Sequence, residues 1–171
     1  IYVTHDQTEA LVLSDRIAIM NGGAIQQIDV AENIYRNPRS RFVADFMGLT
    51  NFIEGVASGR NESRGWLAIR TSDGLVFWGK GEGVDPGDPL LFCVRPETME
   101  LFGPGQRTGD HVFEGIIENA ANLGEFMDYR VKIGQWSLRT KVVSRTSVFR
   151  KGEKVGVWLD PDGCFVIKEA R

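Results

Sequence analysis

The sequence predicts a mostly β protein that begins with a short mixed α/β segment. Three observations predict this class: 20 of the 171 residues are glycine, the apolar runs are only a few residues long, and apolar and polar side chains alternate along Met127–Ile133 and Trp136–Val142. Alternation with a period of two is typical of a strand that buries one face. Short strands and frequent turns are together typical of a small barrel or sandwich.

A capped helix is predicted close to the first residue. Asp6 can accept hydrogen bonds from the free amides of a helix start, and Glu9 follows three residues later, as in a capping box. The preceding residues, Ile1–Thr4, are predicted to form a short β-strand. Because this strand has no partner in the neighbouring sequence, we expect the chain to be a fragment of a longer protein, with an exposed edge that could pair with another chain.

Further turn and cap signals divide the rest of the first 48 residues. Asn21-Gly22-Gly23 between two apolar runs predicts a β-hairpin. Asp29 with Glu32 predicts the cap of a second helix, which continues through Tyr35. A third helix is predicted after Ser40, and Gly48 should end it. One side of this helix carries apolar residues at helical spacing: Phe42, Val43, Phe46 and Met47.

Helical periodicity disappears after Thr50, and short strands follow one another. Besides the two alternating strands, the predicted strands are Gly65–Thr71, Leu75–Trp78, Pro89–Val94, Val112–Ala120, Val155–Leu159 and Cys164–Lys168. The last two flank Asp160-Pro161-Asp162-Gly163, which is a strong turn signal. The change of pattern near residues 48–52 predicts two domains, residues 1–50 and residues 51–171.

Composition excludes several classes of protein. A helix needs about 20 apolar residues to span a bilayer, and no run approaches that length. The net charge of −3 excludes a polycation that binds nucleic acid through its overall charge. The two cysteines, Cys93 and Cys164, belong to no CxxC or Cys/His cluster, so no zinc site is predicted. A disulfide between them stays open, although a reduced protein is the simpler interpretation.

Basic residues concentrate in one stretch of the β region. Arg130–Lys154 contains eight Lys or Arg and one acid, Glu153, for a local net charge of +7. A solvated face of the barrel is one interpretation. The other is a surface for an anionic ligand or partner. The residues of that candidate surface are Arg130, Lys132, Arg139, Lys141 and Arg145.

Gly74–Gly81 fits the first seven positions of the phosphate-binding pattern GxxxxGK, but the match is rejected. The eighth position is Gly81, which lacks the hydroxyl that holds magnesium, and the residues between the glycines are bulky and apolar. No helix is predicted to follow and present its N-terminus to a phosphate. The segment is therefore interpreted as a buried strand.

His5 is a more specific candidate. It follows a predicted strand and stands at the start of a capped helix, which is where α/β proteins keep ligand sites. An imidazole can contact a phosphate oxygen or an attacking water. A single histidine in such a loop also has a structural interpretation, and both stay open on the residues alone. His111 lacks this setting and is interpreted as a loop residue.

A family resemblance covers residues 1–52 almost continuously. The segments that carry it are Tyr2–Leu11, Ser14–Met20, Gly23–Gln27, Ile34-Tyr35, Asn37-Pro38, Phe42–Gly48 and Asn51-Phe52. They resemble the switch-histidine region of ABC transporter ATP-binding subunits, in the subfamily of importers for sugars, polyamines, iron and other small solutes. The remainder resembles that subfamily's OB-like regulatory (TOBE) domain, with Val94–Glu97 as the local marker.

The resemblance implies roles for this chain within a full-length protein. His5 would contact the γ-phosphate of ATP and help to position the attacking water, with ATP and Mg as cofactors. Asp6 would mainly cap the helix, as its position also indicates. The implied partners are a second copy of the subunit and the membrane permease, which would hold the protein in the cytoplasm at the inner face of the cell membrane. The barrel would support dimerisation and regulation.

The departures from the family pattern limit what this chain can do alone. The family's phosphate loop, glutamine loop, signature motif and catalytic glutamate precede the switch histidine, and this sequence contains none of them. Without a cradle for the β- and γ-phosphates and without a general base, we expect this fragment neither to hydrolyse ATP nor to bind it tightly, and to need no cofactor. Ala31 replaces a proline that is common in the family, and the helix should tolerate it.

Two other functions remain open on the sequence. One is a free-standing OB-like module that binds a small anion, a sugar or an oligonucleotide. Trp136 lies within the basic stretch, but it shares a strand face with Leu138 and Val142 and is expected in the core, so no nucleic-acid partner is predicted. The other function is a purely structural dimerisation domain.

Overall fold

The computed structural model describes residues 1–143 and 148–168. The described part of the chain contains three α helices, one 3₁₀ helix and twelve strands. In chain order they are α1 (Gln7–Leu13), β1 (Ile17–Asn21), β2 (Ala24–Asp29), α2 (Ala31–Arg36), α3 (Arg41–Phe46), β3 (Asn51–Asn61), β4 (Trp66–Arg70), β5 (Val76–Lys80), β6 (Pro89–Val94), the 3₁₀ helix (Pro96–Thr98), β7 (Met99–Phe102), β8 (Val112–Asn122), β9 (Phe126–Ile133), β10 (Trp136–Val143), β11 (Lys154–Leu159) and β12 (Cys164–Lys168).

The predicted strand at Ile1–Thr4 is wrong. These residues have no regular secondary structure, and the Val3 side chain is 91% exposed. A strand requires hydrogen bonds to a neighbouring strand, and none of the described strands pairs with this segment. The hydroxyls of Tyr2 and Thr4 instead donate to the Glu9 carboxylate, at 3.1 and 2.8 Å.

The hairpin at Gly22-Gly23 is confirmed. Strands β1 and β2 pair antiparallel around these two glycines, whose φ angles are +57° and +78°. Glycine adopts such angles at no steric cost because it has no Cβ, and two glycines in succession match the twist of a tight hairpin.

Two of the three predicted helix starts are confirmed. Asp6 caps α1, and the Ser40 hydroxyl caps α3 by accepting from the Val43 amide. The predicted cap of α2 is wrong by one position. The N-cap is Val30, and Asp29 accepts from the Val30 amide at 2.8 Å, because that carboxylate lies one residue too early to reach the helix amides.

The β region forms two packed sheets. Five strands close a barrel in the order β12-β5-β4-β3-β6, and five others form a second sheet in the order β10-β9-β8-β11-β7. The fold class predicted from the sequence, mostly β with an OB-like barrel after a small α/β segment, is confirmed. None of the helices described here has the length and hydrophobicity needed to cross a bilayer.

The turn at Asp160–Gly163 does not close a hairpin. Strand β11 before it pairs with β7 and β8, whereas β12 after it pairs with β5 and β6. The turn therefore carries the chain from the second sheet back to the barrel. Two strands, β3 and β7, were not among the predicted ones.

One hydrophobic core joins the barrel to the second sheet. The Phe77 ring is fully buried and stacks on Phe92 of the barrel, at 5.2 Å between ring centroids, and on Phe113 of β8, at 4.7 Å. The alternating strands β9 and β10 supply inward residues to this core, including Tyr129 and Leu138. Their predicted pattern of one buried face is thereby confirmed.

The two cysteines are reduced and buried. Cys93 packs with Leu91 and Phe165, whereas Cys164 belongs to the core that joins barrel and sheet. Their side chains thus lie on opposite faces of the β6–β12 pair, which cannot be bridged without moving the backbone.

Candidate functional sites

His5 lies in the loop directly before α1. Asp6 holds this loop against the helix: its Oδ1 accepts from the amides of Thr8 and Glu9, at 2.8 and 3.1 Å, and its own amide donates to the Thr4 hydroxyl at 3.0 Å. The His5 ring is exposed, and within the described residues it has no hydrogen bond or ion pair. The loop presents this imidazole to solvent, where a ligand could meet it.

The described part of the chain has no metal-binding cluster around His5. The Gly74–Gly81 segment contains strand β5 (Val76–Lys80), as predicted, and a turn region follows it. No group of three or more His, Cys, Asp or Glu in residues 1–143 and 148–168 could hold a metal ion.

Four of the five predicted basic-surface residues lie together on the outer face of β9 and β10. Arg130 stands directly opposite Arg139, and Lys132 and Lys141 occupy the neighbouring positions of the same face. The inward positions between them belong to the core. Arg145 lies outside the described residues.

Arg139 is occupied by an internal partner. Its Nε donates to both oxygens of Asp128, at 2.8 and 3.0 Å, and its Nη2 makes a further contact with the same carboxylate. This hydrogen bonding, helped by the nearby charges of Lys141 and Arg130, lowers the pKa of Asp128. Arg130, Lys132 and Lys141 are exposed and have no ion-pair partner among the residues described.

Trp136 is half-buried against the core, and its indole Nε1 donates to Asp73 Oδ1 at 3.3 Å. The Trp136 side chain is therefore held at the edge of the sheet, and its ring is not free to stack on a ligand.

His111 lies in the turn before β8, as predicted, and its ring packs edge-on against the Trp66 ring, with 5.1 Å between ring centroids. Burial in this setting lowers the pKa of His111.

Arg95 forms a junction between the helices and the barrel that the sequence did not predict. It is 2% exposed and follows β6. Its Nη1 donates to the carbonyl oxygens of Ala44 and Gly48, at 2.9 and 2.7 Å, and its Nη2 donates to the carbonyl of Tyr35 at 3.2 Å. Tyr35 and Ala44 lie in the last turns of α2 and α3, and Gly48 lies just after α3, where a cation is favourable.

Aromatic rings and acids complete the environment of Arg95. Its guanidinium lies 4.3 Å from the centre of the Tyr35 ring, and the Tyr35 hydroxyl donates to Glu97. Burial, then the hydrogen bond to Glu97, raises the pKa of Tyr35 to about 12. Burial lowers the pKa of Arg95, and its Nε has no hydrogen-bond partner in the described structure. A cavity of about 490 Å³ adjoins this junction.

A larger groove, of about 840 Å³, opens on the outer face of the second sheet. Strands β8, β9 and β11 form the floor of the groove, and the segment between β7 and β8 forms one wall. Phe102, Arg107, Lys132 and Lys154 are among its lining residues. Of the four predicted basic-surface residues that the structure describes, Lys132 lines this groove.

The chain is similar to a known domain family and to known proteins. Residues 92–167 match the TOBE domain family. The chain is 34% identical to the spermidine/putrescine import ATP-binding protein PotA of Rubrobacter xylanophilus, over 98% of this chain and 44% of the relative. It is also 34% identical to the protein of the same name from Mesorhizobium japonicum, over 99% of this chain and 46% of the relative.

The resemblance to the C-terminal part of an ABC importer ATP-binding subunit is confirmed. The chain spans less than half the length of these curated relatives. The TOBE match contains Arg95, the basic face of β9 and β10 and the groove, whereas His5 and the residues that Arg95 contacts in α2, in α3 and after α3 lie before it.

A solved structure supports the fold of most of the chain. The cytoplasmic molybdate-binding protein ModG, solved with molybdate bound, superposes with a TM-score of 0.62 over 70% of this chain and 96% of its own. Its sequence identity is 11%, so the likeness extends to the fold alone.

Proposed function

We propose that this chain is the C-terminal part of the ATP-binding subunit of an ABC importer, and that the imported solutes are polyamines such as spermidine and putrescine. The observation that carries the proposal is the match of PotA of Rubrobacter xylanophilus to 98% of this chain, at 34% identity. A free-standing barrel module would account for the match after residue 50 but not for the capped loop that presents His5.

The proposal divides the chain into two parts. Residues 1–50 are the end of the nucleotide-binding domain, and residues 51–171 are an OB-like TOBE domain. The two parts have separate apolar clusters: Ile34, Val43 and Met47 pack with the β1–β2 hairpin, whereas the barrel and second sheet share their own core. Ala44 of α3 packs on the barrel, and Arg95 ties the two clusters together.

In the whole protein, His5 contacts the γ-phosphate of ATP and helps to position the attacking water. Groups that precede this chain supply the phosphate cradle, the Mg site and the general base. ATP binding closes two subunits on each other, and this closure drives the permease between its inward-open and outward-open states. The subunit works at the cytoplasmic face of the membrane, and the TOBE domain contributes dimerisation and regulation.

An ATPase assay tests the catalytic part of the proposal. The whole protein is expected to hydrolyse ATP, and His5→Ala should lower kcat by about two orders of magnitude, as for loss of a catalytic proton-transfer or positioning group. The 171-residue chain should show no turnover above the blank. Turnover by this chain that disappears in His5→Ala would contradict the assignment of the cradle and base to preceding residues.

Sedimentation tests the dimerisation role separately. The chain is expected to sediment as a concentration-dependent dimer. A monomer at the highest concentration reached would overturn that role and leave the ATPase proposal standing.

A further inference from the structure

We propose that the groove on the outer face of the second sheet binds a small organic anion with an apolar body. This inference deepens the regulatory role proposed above. Only the effect of binding on transport rests on that role, since binding itself needs neither ATP nor the permease. It concerns a place distinct from His5 and from the Arg95 junction.

The strand register sets two lysines on either side of an exposed isoleucine. Lys154 of β11, Ile116 of β8 and Lys132 of β9 lie side by side in one row. Ile116 is 47% exposed although it stands at the middle of a five-stranded sheet. Its neighbours in sequence, Gly115 and Ile117, face the core. The row is therefore the outer floor of the groove.

The next row on the same face is open because of a glycine. Gly156 stands between Glu114 and Phe102, and a Cβ at this position would lie 2.1 Å from the Phe102 ring. The missing side chain lets the ring lie over the sheet. The Phe102 ring is 8% exposed and lines one wall of the groove, and with the exposed Ile116 it provides apolar surface for a ligand body.

The groove has an excess of positive charge. Lys132 and Lys154 have no ion-pair partner in the described residues, whereas Arg107 stacks over Phe102 at 5.1 Å and is paired with Glu100 at 2.6 Å. Glu114 is the one acid that lines the groove within the described part of the chain. It lies in the row beyond Ile116, so an anionic head fits between the two lysines and a hydrogen-bond donor on the ligand fits near Glu114.

The dimensions suit a small molecule. A volume of about 840 Å³ lies within the range of about 300–1,000 Å³ that ligand pockets occupy. Two lysines, an apolar floor and an aromatic wall recognise a carboxylate or sulfonate carried on a ring or short chain. In the whole protein, an anion bound in this groove would act on the TOBE domain, to which the regulatory role is assigned.

Calorimetric titration of the 171-residue chain with 2-naphthoate tests the proposal, with neutral 2-naphthamide as the matched ligand. The double variant Lys132→Gln/Lys154→Gln is expected to weaken naphthoate binding about five- to thirtyfold, as for the loss of two partly exposed charge pairs. The control Arg130→Gln/Lys141→Gln removes the same charge from the same sheet face outside the groove, and it should change the affinity less than twofold. The amide should bind at least tenfold more weakly than the acid.

Amide shifts in an NMR titration locate the site. Naphthoate should move the signals of Ile116 and Gly156 and leave those of α1 unchanged. Three results would overturn the proposal: no binding of naphthoate, equal binding of the amide, or equal weakening in the groove variant and the control. None of them depends on ATP hydrolysis, so their outcome is separate from that of the ATPase assay.

Discussion

Replacing Arg95 with methionine should strongly destabilise the chain and loosen the helices from the barrel. Methionine retains much of the apolar stem but donates no hydrogen bond. The carbonyl oxygens of Tyr35, Ala44 and Gly48 would then lose their charged donor, and those of Ala44 and Gly48 would share the single Thr50 hydroxyl, at 3.1 Å from each. The Thr50 hydroxyl would also lose its contact with Nη1.

The expected magnitude follows from these contacts. Three bonds of 2.7 to 3.2 Å from a charged donor correspond to about 1.5–3 kcal/mol each. The wild-type protein also bears the cost of desolvating a guanidinium, which is several kcal/mol and opposes this gain. We expect a net loss of about 3–5 kcal/mol in the free energy of unfolding, which is the gain from these bonds less that desolvation cost. For a chain of this size that corresponds to a decrease in Tm of about 6–20 °C.

Urea unfolding and hydrogen exchange measure the two effects. Arg36→Met is the matched control. Arg36 forms an exposed ion pair with Glu32 on α2, and the loss of this pair should cost less than about 0.5 kcal/mol. In Arg95→Met, the amides of residues 44–50 should exchange faster, whereas those of β9 should keep most of their protection. A loss below about 1 kcal/mol, equal to that of the control, would refute the junction as a source of stability.

Three further predictions concern the β region. Arg139 lowers the pKa of Asp128, so this carboxylate stabilises the fold above its unfolded pKa of about 3.9 and the gain is lost as the pH falls through the folded value. Asp128→Asn should therefore cost about 1 kcal/mol at pH 7 and less at pH 3, and an equal cost at both pH values in urea unfolding would contradict this. Gly156→Ala should cost about 1–3 kcal/mol because its Cβ meets the Phe102 ring, and an unchanged Tm would show that the ring moves freely. Burial raises the pKa of the Cys164 thiol, so iodoacetamide should label it only in urea, as mass spectrometry can show, and rapid labelling of the folded chain would contradict its burial.

The local pattern of the sequence was sufficient for most strands but not for β3. The alternation in β9 and β10 predicts both strands, because each buries one face along its whole length. Strand β3 contains two glycines and a bulge, which look like a loop in the sequence. Gly55 is required there for another reason: a Cβ would lie 2.6 Å from Ile69 Cγ2, since β3 and β4 approach closely in the closed barrel.

The candidate sites also differ in whether the local sequence pattern revealed them. His5 and the basic residues of β9 and β10 were found from residue type and spacing, and their functional roles remain predictions. The role of Arg95 was not found, although the sequence marked Val94–Glu97 as a family signal. Its partners lie about 45 to 60 residues earlier in the chain, so no local pattern brings them together.

By itself, the sequence determined the family, the α/β to β transition near residue 50, the hairpin at Gly22-Gly23 and the position of most strands. These features depend on contacts between neighbours in the chain, where turn preferences and burial of one face act over a few residues. Only the tertiary structure decided that β11 and β12 belong to different sheets, that Arg95 joins α2 and α3 to the barrel, and that Lys132 and Lys154 flank one groove. Those arrangements depend on which distant strands pair, and pairing is decided by the closure of the barrel and the burial of one shared core.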